Sequence, residues 1–148
     1  TIAEAKPDCK VIGIDYDKKK ILQAEDNNEI KNLNFEICDA NKNLPNGKWD
    51  VVVLSNVLEH INNRKFFLDF IIKKSCCKKI LIRVPCFERS WEIPMRKHLG
   101  IYYYSDNDHK IEHTVNEFKE EMTASKIQIK NLNTVWGEIW AVCKVKQV

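Results

Sequence analysis

The sequence predicts an α/β protein: an open, mostly parallel sheet with helices on both faces and an antiparallel strand at its C-terminal end. Three observations predict it. Strand-like and helix-like stretches alternate along most of the chain. The stretch Asp50 to Ile61, DVVVLSNVLEHI, opens with an acid followed by four consecutive apolar residues, Val51 to Leu54, the pattern of a strand buried on both faces of a parallel sheet. The end, IQIKNLNTVWGEIWAVCKV, reads as two strands joined around Trp136–Gly137, a connection so short that they must be antiparallel.

Each element has its own signal. TIAEAKPDCK reads as the tail of a helix leading to a strand. Lys10 to Tyr16, KVIGIDY, is β-branched and apolar and ends in an acid. Asp17 can cap the next helix, with Ile21, Leu22 and Ala24 as its buried side and Asn27–Asn28 as its end. Leu33 to Cys38 alternates as a second strand, and Ala40 to Trp49 is a loop turned by Pro45, Asn46 and Gly47. After the Asp50 stretch, a central strand, a helix runs from about Asn63 to Ser75, with Phe66, Phe67, Phe70 and Ile71 inward. Lys79 to Val84 is a strand stopped by Pro85. Cys86 to His113 reads as long and irregular. Thr114 and Glu117 form a capping box for a helix reaching about Ser125, with Val115, Phe118 and Met122 inward.

Bulk properties bound the function. At 148 residues the chain is expected to be one domain, residues 1–148. A net charge of +3 without clustering is too small to argue for nucleic acid or a membrane surface, so neither is expected as a partner, and no apolar run approaches a membrane span. The six cysteines form no CxxC pair, so they are expected to be reduced and mostly buried in a cytoplasmic protein.

Chemistry concentrates at strand ends. Asp15 ends one strand and Asp39 follows the next. An acid at such a tip can accept both hydrogen bonds of a ribose diol, and a second, one strand over, can accept from an adenine amine. Taken singly, each acid also suits a helix cap or a solvated loop. KVIGIDY followed by FEICDANKNLPNGKWDVVVLSNVLEHI resembles the class I S-adenosylmethionine-dependent methyltransferases, especially the small-molecule branch. The resemblance implies a Rossmann-like fold and S-adenosylmethionine as cofactor. It places Asp15 on the ribose, Tyr16 against the adenosine, and Asp39 and Ala40 at the adenine. Ser55 sits on the lip of the site, with Asn56 and Val57 near the methionine part. It also matches Glu138 to Lys144 to the family's antiparallel last strand.

One part of the family pattern has no counterpart. The four glycines, Gly13, Gly47, Gly100 and Gly137, lie too far apart to build the glycine-rich turn that follows the family's first strand. That strand would lie between those of Asp15 and Asp50, and its absence would open a gap of about 10 Å in the sheet. The expectation is therefore a chain that begins mid-fold and lacks the first strand.

The implied reaction is in-line attack on the sulfonium methyl group, for which an oxygen nucleophile needs a base. His60 and His113 are the candidate bases, and Trp91, Tyr103 and His109 the candidate substrate contacts. Each also has a structural reading, as cap, core or edge packing. His109 and His113 stand four apart, but the capping box at Thr114 puts them ahead of the helix, so no metal site is expected. The reading is methyl transfer to a small-molecule or sugar- or lipid-linked acceptor. Its rivals are a non-catalytic remnant or partner subunit and a nicotinamide-dependent oxidoreductase. Oligomeric state is not legible.

Overall fold

A computed structural model describes residues 1–145. They divide into two compact units, residues 1–47 and 48–145. In the first, helix α1 (Ile2–Ala5) is capped by a Thr1/Glu4 box, and the Asn32 carboxamide donates to the carbonyls of Ala3, Lys6 and Cys9 at 3.1, 3.0 and 2.8 Å. Strands β1 (Val11–Asp15) and β2 (Leu33–Ile37) pair in parallel, Val11 against Leu33 through Asp15 against Ile37. Between them runs α2 (Lys18–Asp26), whose N-cap Asp17 accepts from the Lys19 amide at 2.8 Å. Ile21 is buried as expected, but Leu22 is 46% exposed. One helical position turns a side chain by about 100°, which carries Leu22 off the stripe that Ile21 occupies.

The second unit holds a four-stranded sheet, β3 (Val51–Ser55), β4 (Lys79–Pro85), β5 (Ile127–Val135) and β6 (Glu138–Val145), in the order β3-β4-β6-β5. β3 and β4 are parallel, while β6 is antiparallel to both β4 and β5. The closing hairpin turns at Trp136 and Gly137, both at positive φ (52° and 78°), the backbone a two-residue hairpin requires. Parallel strands and an antiparallel end in one open α/β architecture are what the sequence predicts. Among the described residues no strand joins the two sheets.

β3 departs from expectation. It stands at the edge of its sheet, and Val51 and Val53 are 42% and 45% exposed. Their face continues across the sheet as Lys79, Leu81 and Arg83 on β4, then Lys144, Val142 and Trp140 on β6. The opposite face is the core. Leu54, Ile80, Ile82, Val84, Ile139, Ala141 and Cys143 are buried there.

Helix α3 (Arg64–Ser75) is capped by Asn63 and buries Phe67, Leu68, Ile71 and Ser75. Phe66, expected inward, is 65% exposed, because the buried stripe advances by threes and fours from Phe67 and Leu68. The segment after β4 is not irregular throughout. It carries a 3₁₀ turn (Phe87–Arg89) and α4 (Glu92–His98). Pro94 is tolerated because it lies in the first turn of α4, where a backbone donor has no intrahelical partner to lose. α5 (Val115–Ala124) has the expected Thr114/Glu117 capping box and buries Phe118 and Met122. No helix of the described residues is long and apolar enough to cross a membrane.

Candidate functional site

In the first unit, the parallel pairing of β1 and β2 brings Asp15 and Asp39 to the same, carboxyl-terminal end of adjacent strands. The Cys38 amide still donates to the Asp15 carbonyl at 2.9 Å, so the ladder persists to the tips. Asp15 uses Oδ1 to accept from the Asp17 amide at 2.8 Å, and Oδ2 lies 3.9 Å from the exposed Lys20 amine. Asp39 accepts from the Asn41 amide at 3.0 Å and pairs with Lys42 at 2.8 Å. Lys42, then the Asn41 amide, hold its carboxyl below the ordinary range. Tyr16 is 75% exposed beside Asp15, and Ala40 is half-buried beside Asp39. Both acids thus have local turn partners, and both keep a partly open face.

In the second unit, β3 ends at Ser55, which is exposed, and the chain turns at Asn56 with φ of 53°. That left-handed backbone suits asparagine better than most residues. Asn56 is held on both sides by Arg83, whose carbonyl accepts its amide at 2.9 Å and whose Nε donates to its Oδ1 at 3.0 Å. Val57 leads into a 3₁₀ turn, Leu58–His60, where Leu58 and Glu59 are buried and His60 is partly exposed.

His60 is not alone. The Lys110 amide donates to the Glu59 carbonyl at 2.7 Å, tying the loop before α5 to the turn after β3. This brings the His60 and His109 rings edge to face at 4.7 Å between centroids. His60 Nδ1 pairs with Asp108 at 3.1 Å, and His109 Nδ1 with Glu112 at 3.0 Å. One potential ligand atom from each of Glu59, His60 and His109 lies within 4.8 Å of the other two. Neither carboxylate oxygen of Glu59 makes a hydrogen bond within the described residues. Burial pushes its carboxyl above the ordinary range, against the pull of its own amide and of His60, His109 and His113. Glu112 is opposite in kind. Burial opposes its charge, but the Ser105 amide, His109, the Ser105 hydroxyl and Arg89 hold its carboxyl low.

His113 is fully enclosed, its Nε2 on Glu121 at 3.4 Å, and Glu121 also accepts from Arg64 Nε at 2.6 Å. Trp91 is 72% exposed at the start of α4. Tyr103 stacks on Tyr104 at 4.4 Å and meets Phe87 edge-on, with the Lys97 amine 5.5 Å from its ring centre. Its hydroxyl donates to that of Tyr104 at 3.2 Å, which, with burial, pushes its pKa up to about 12. Sequence reading missed Glu59, Asp108 and Glu112. A buried acid inside VLEHI has no local signature, and its partners lie some fifty residues on.

A family profile described as a methyltransferase domain matches residues 1–140. No curated protein matches the chain with significance. Among solved structures, one similar chain comes from the complex between the Haloferax volcanii Trm112 methyltransferase activator and the putative methyltransferase. It has a TM-score of 0.74 at 12% identity, over 97% of this chain and 77% of that one. LepI in complex with SAM gives 0.72 at 16% identity, over 98% of this chain and 39% of the other. Magnesium protoporphyrin IX methyltransferase (ChlM) from Synechocystis PCC 6803 with bound SAH gives 0.66 at 12% identity, over 91% and 64%. The present chain thus spans 39% of LepI and 64% of ChlM. At these identities the likeness is one of fold, the Rossmann-like methyltransferase fold.

Proposed function

We propose that this chain, which belongs to the methyltransferase domain family, transfers the methyl group of S-adenosylmethionine to a small-molecule acceptor. The observation that carries the reading is the pair of acids, Asp15 and Asp39, at neighbouring strand tips of one parallel pair. Their chemistry fits an adenosine. Asp15 keeps Oδ2 for a ribose diol, with only a distant, exposed lysine nearby. Asp39 is ionised and can exchange its exposed Lys42 partner for an adenine amine. Tyr16 offers an open ring to one face of the base, and Ala40 a backbone amide to its edge.

In the second unit, Ser55, Asn56 and Val57 are the residues we assign to the methionine end. Arg83 fixes the Asn56 carboxamide oxygen, so its NH₂ group is left to donate. When bound, the cofactor supplies an electrophilic methyl group, and the protein's part is to orient it and manage the acceptor's proton. His60, partly exposed at the end of its turn, is the more accessible of the two proposed bases, while His113 is enclosed behind Glu121. Trp91 and His109, with Tyr103 kept protonated, are the proposed acceptor contacts.

Calorimetry with S-adenosylhomocysteine, followed by its release in turnover with candidate acceptors, tests this. Saturable binding that Asp15→Ala and Asp39→Ala each weaken supports it. Binding of a nicotinamide dinucleotide without S-adenosylhomocysteine overturns it in favour of an oxidoreductase. Binding of neither overturns it in favour of a non-catalytic remnant.

A further inference from the structure

Glu59 has a side chain with two acceptor oxygens, no exposure, and no hydrogen-bond partner within the described residues. A buried carboxylate in that condition is stable only as the neutral acid or beside a cation. Two imidazoles, those of His60 and His109, lie within ligand reach of Glu59, and their arrangement favours the second case. His60 and His109 each commit Nδ1 to a carboxylate, Asp108 and Glu112 respectively, which leaves Nε2 of each as the free lone pair. Metal-bound histidines show this same habit, donating the remote N–H to a carboxylate that fixes the tautomer and raises the basicity of the ligating nitrogen. Two histidines so oriented beside one unpartnered acid are more than a packing coincidence requires.

We propose that Glu59, His60 and His109 bind one first-row divalent cation, with zinc or cobalt as suitable occupants. Glu59 supplies the negative charge, the two Nε2 atoms the borderline ligands, and a further position stays open to water or another oxygen donor. Metal–ligand bonds of about 2.0–2.2 Å put ligand atoms roughly 3–3.6 Å apart. One donor atom of each residue already lies within 4.8 Å of the other two, and turning the Nε2 atoms onto one ion closes the set further. The partly exposed His60 is free to make that movement, while the Lys110–Glu59 backbone bond keeps the two segments together. Asp108 and Glu112 balance the added charge from outside, where Lys110 and Arg89 already pair with them. This inference does not rest on the methyl-transfer reading; with the cation bound, Nε2 of His60 is a ligand and the role of acceptor base passes to His113.

Cobalt(II) titration of the chelator-treated chain, followed by calorimetry and visible absorption without any nucleoside, is the test. The expected result is one equivalent bound, with ligand-field bands and no thiolate-to-cobalt charge transfer. Affinity should fall in acid, because protons compete with the metal for its ligands. Glu59→Gln and His109→Ala should each weaken binding roughly tenfold or more, judged against the 10–100-fold that loss of even outer-shell partners costs. Absence of saturable binding overturns the proposal. So do strong thiolate charge-transfer bands, which would place the metal on cysteines, or wild-type affinity in folded Glu59→Gln. If that variant unfolds, paramagnetic shifts decide in the unaltered chain: the ring protons of His60 and His109 must move, and their staying put overturns the site.

Discussion

Asp15 and Glu121 show how the same side-chain type does opposite work in the two units. Asp15 has one oxygen on a backbone amide and one turned to a solvated lysine, so its removal leaves no buried group stranded. Asp15→Ala should therefore leave folding nearly unchanged and weaken S-adenosylhomocysteine binding by about 1.5–3 kcal/mol, the value of lost charge-assisted hydrogen bonds, as read by calorimetry. Glu121 is mostly buried between Arg64 and His113. Burial opposes its charge, yet His113 and Arg64 outweigh it and hold its carboxyl below the ordinary range. A depressed folded pKa gives stability that is present above the unfolded value, about 4.3, and is lost as pH falls through the folded one. Glu112 acts with the same sign. Glu59, raised by burial, has the reverse sign, its contribution present at low pH and lost as pH rises. Urea unfolding at a series of pH values should show stability falling below about pH 4.3. Glu121→Gln should flatten that fall and cost about 3 kcal/mol at neutral pH, because Arg64 loses its buried partner. An unchanged acid limb in this variant would assign the effect to other carboxylates.

At the scale of elements, local chemistry was readable wherever one residue decides the backbone. Asp17 and Thr114 cap the helices that the sequence assigns to them, and the Trp136–Gly137 hairpin fixes the antiparallel end. What was not readable depends on what lies across the element. Four apolar residues in a row do not say which face of β3 is covered, and Val51 and Val53 are exposed because the sheet face they share with Val142 and Trp140 is left open among the described residues. α4 was missed because its seven residues bury no apolar stripe that would mark a helix in the sequence. Asp15 and Asp39 were legible as a pair because parallel strands put their ends together. The Glu59–His60–His109 cluster was not, since a backbone bond from Lys110 to Glu59 assembles it. Gly13 in β1 is a local requirement of another kind. A Cβ there would stand 2.7 and 2.8 Å from two ring carbons of Phe35 on β2. Gly13→Ala should destabilise the strand pair by about 1–3 kcal/mol through overpacking, and Phe35→Leu in the same chain should restore part of it. Thermal melts of the single and double variants measure the recovery, and purely additive losses would exclude the contact as the cause.

Across the whole molecule, the two units differ in what holds them. The first has two paired strands and buries only Ala3 and Ile21 among its apolar side chains, whereas the second has four strands and nearly all of the core. Two strands with so little covered surface are marginal by themselves, and local opening costs least where few apolar groups are buried. Amide exchange should therefore be fast in β1 and β2 and slow in β4 and β6, whose buried residues Ile80, Ile82, Ile139 and Cys143 form the inner face of the larger sheet. Anything that binds the folded form alone raises protection with the logarithm of its concentration over Kd, by about 2.7 kcal/mol at a hundredfold excess. Saturating S-adenosylhomocysteine should then slow exchange in β1 and β2, where Asp15 and Asp39 sit. It should change β5 and the outer strand positions little. Exchange mass spectrometry with and without the nucleoside resolves the two sheets separately. Protection of β1 and β2 equal to that of β4 and β6 in the free chain would contradict the assignment of stability to the second unit. Protection gained only in β5 would move the nucleoside away from the two aspartates.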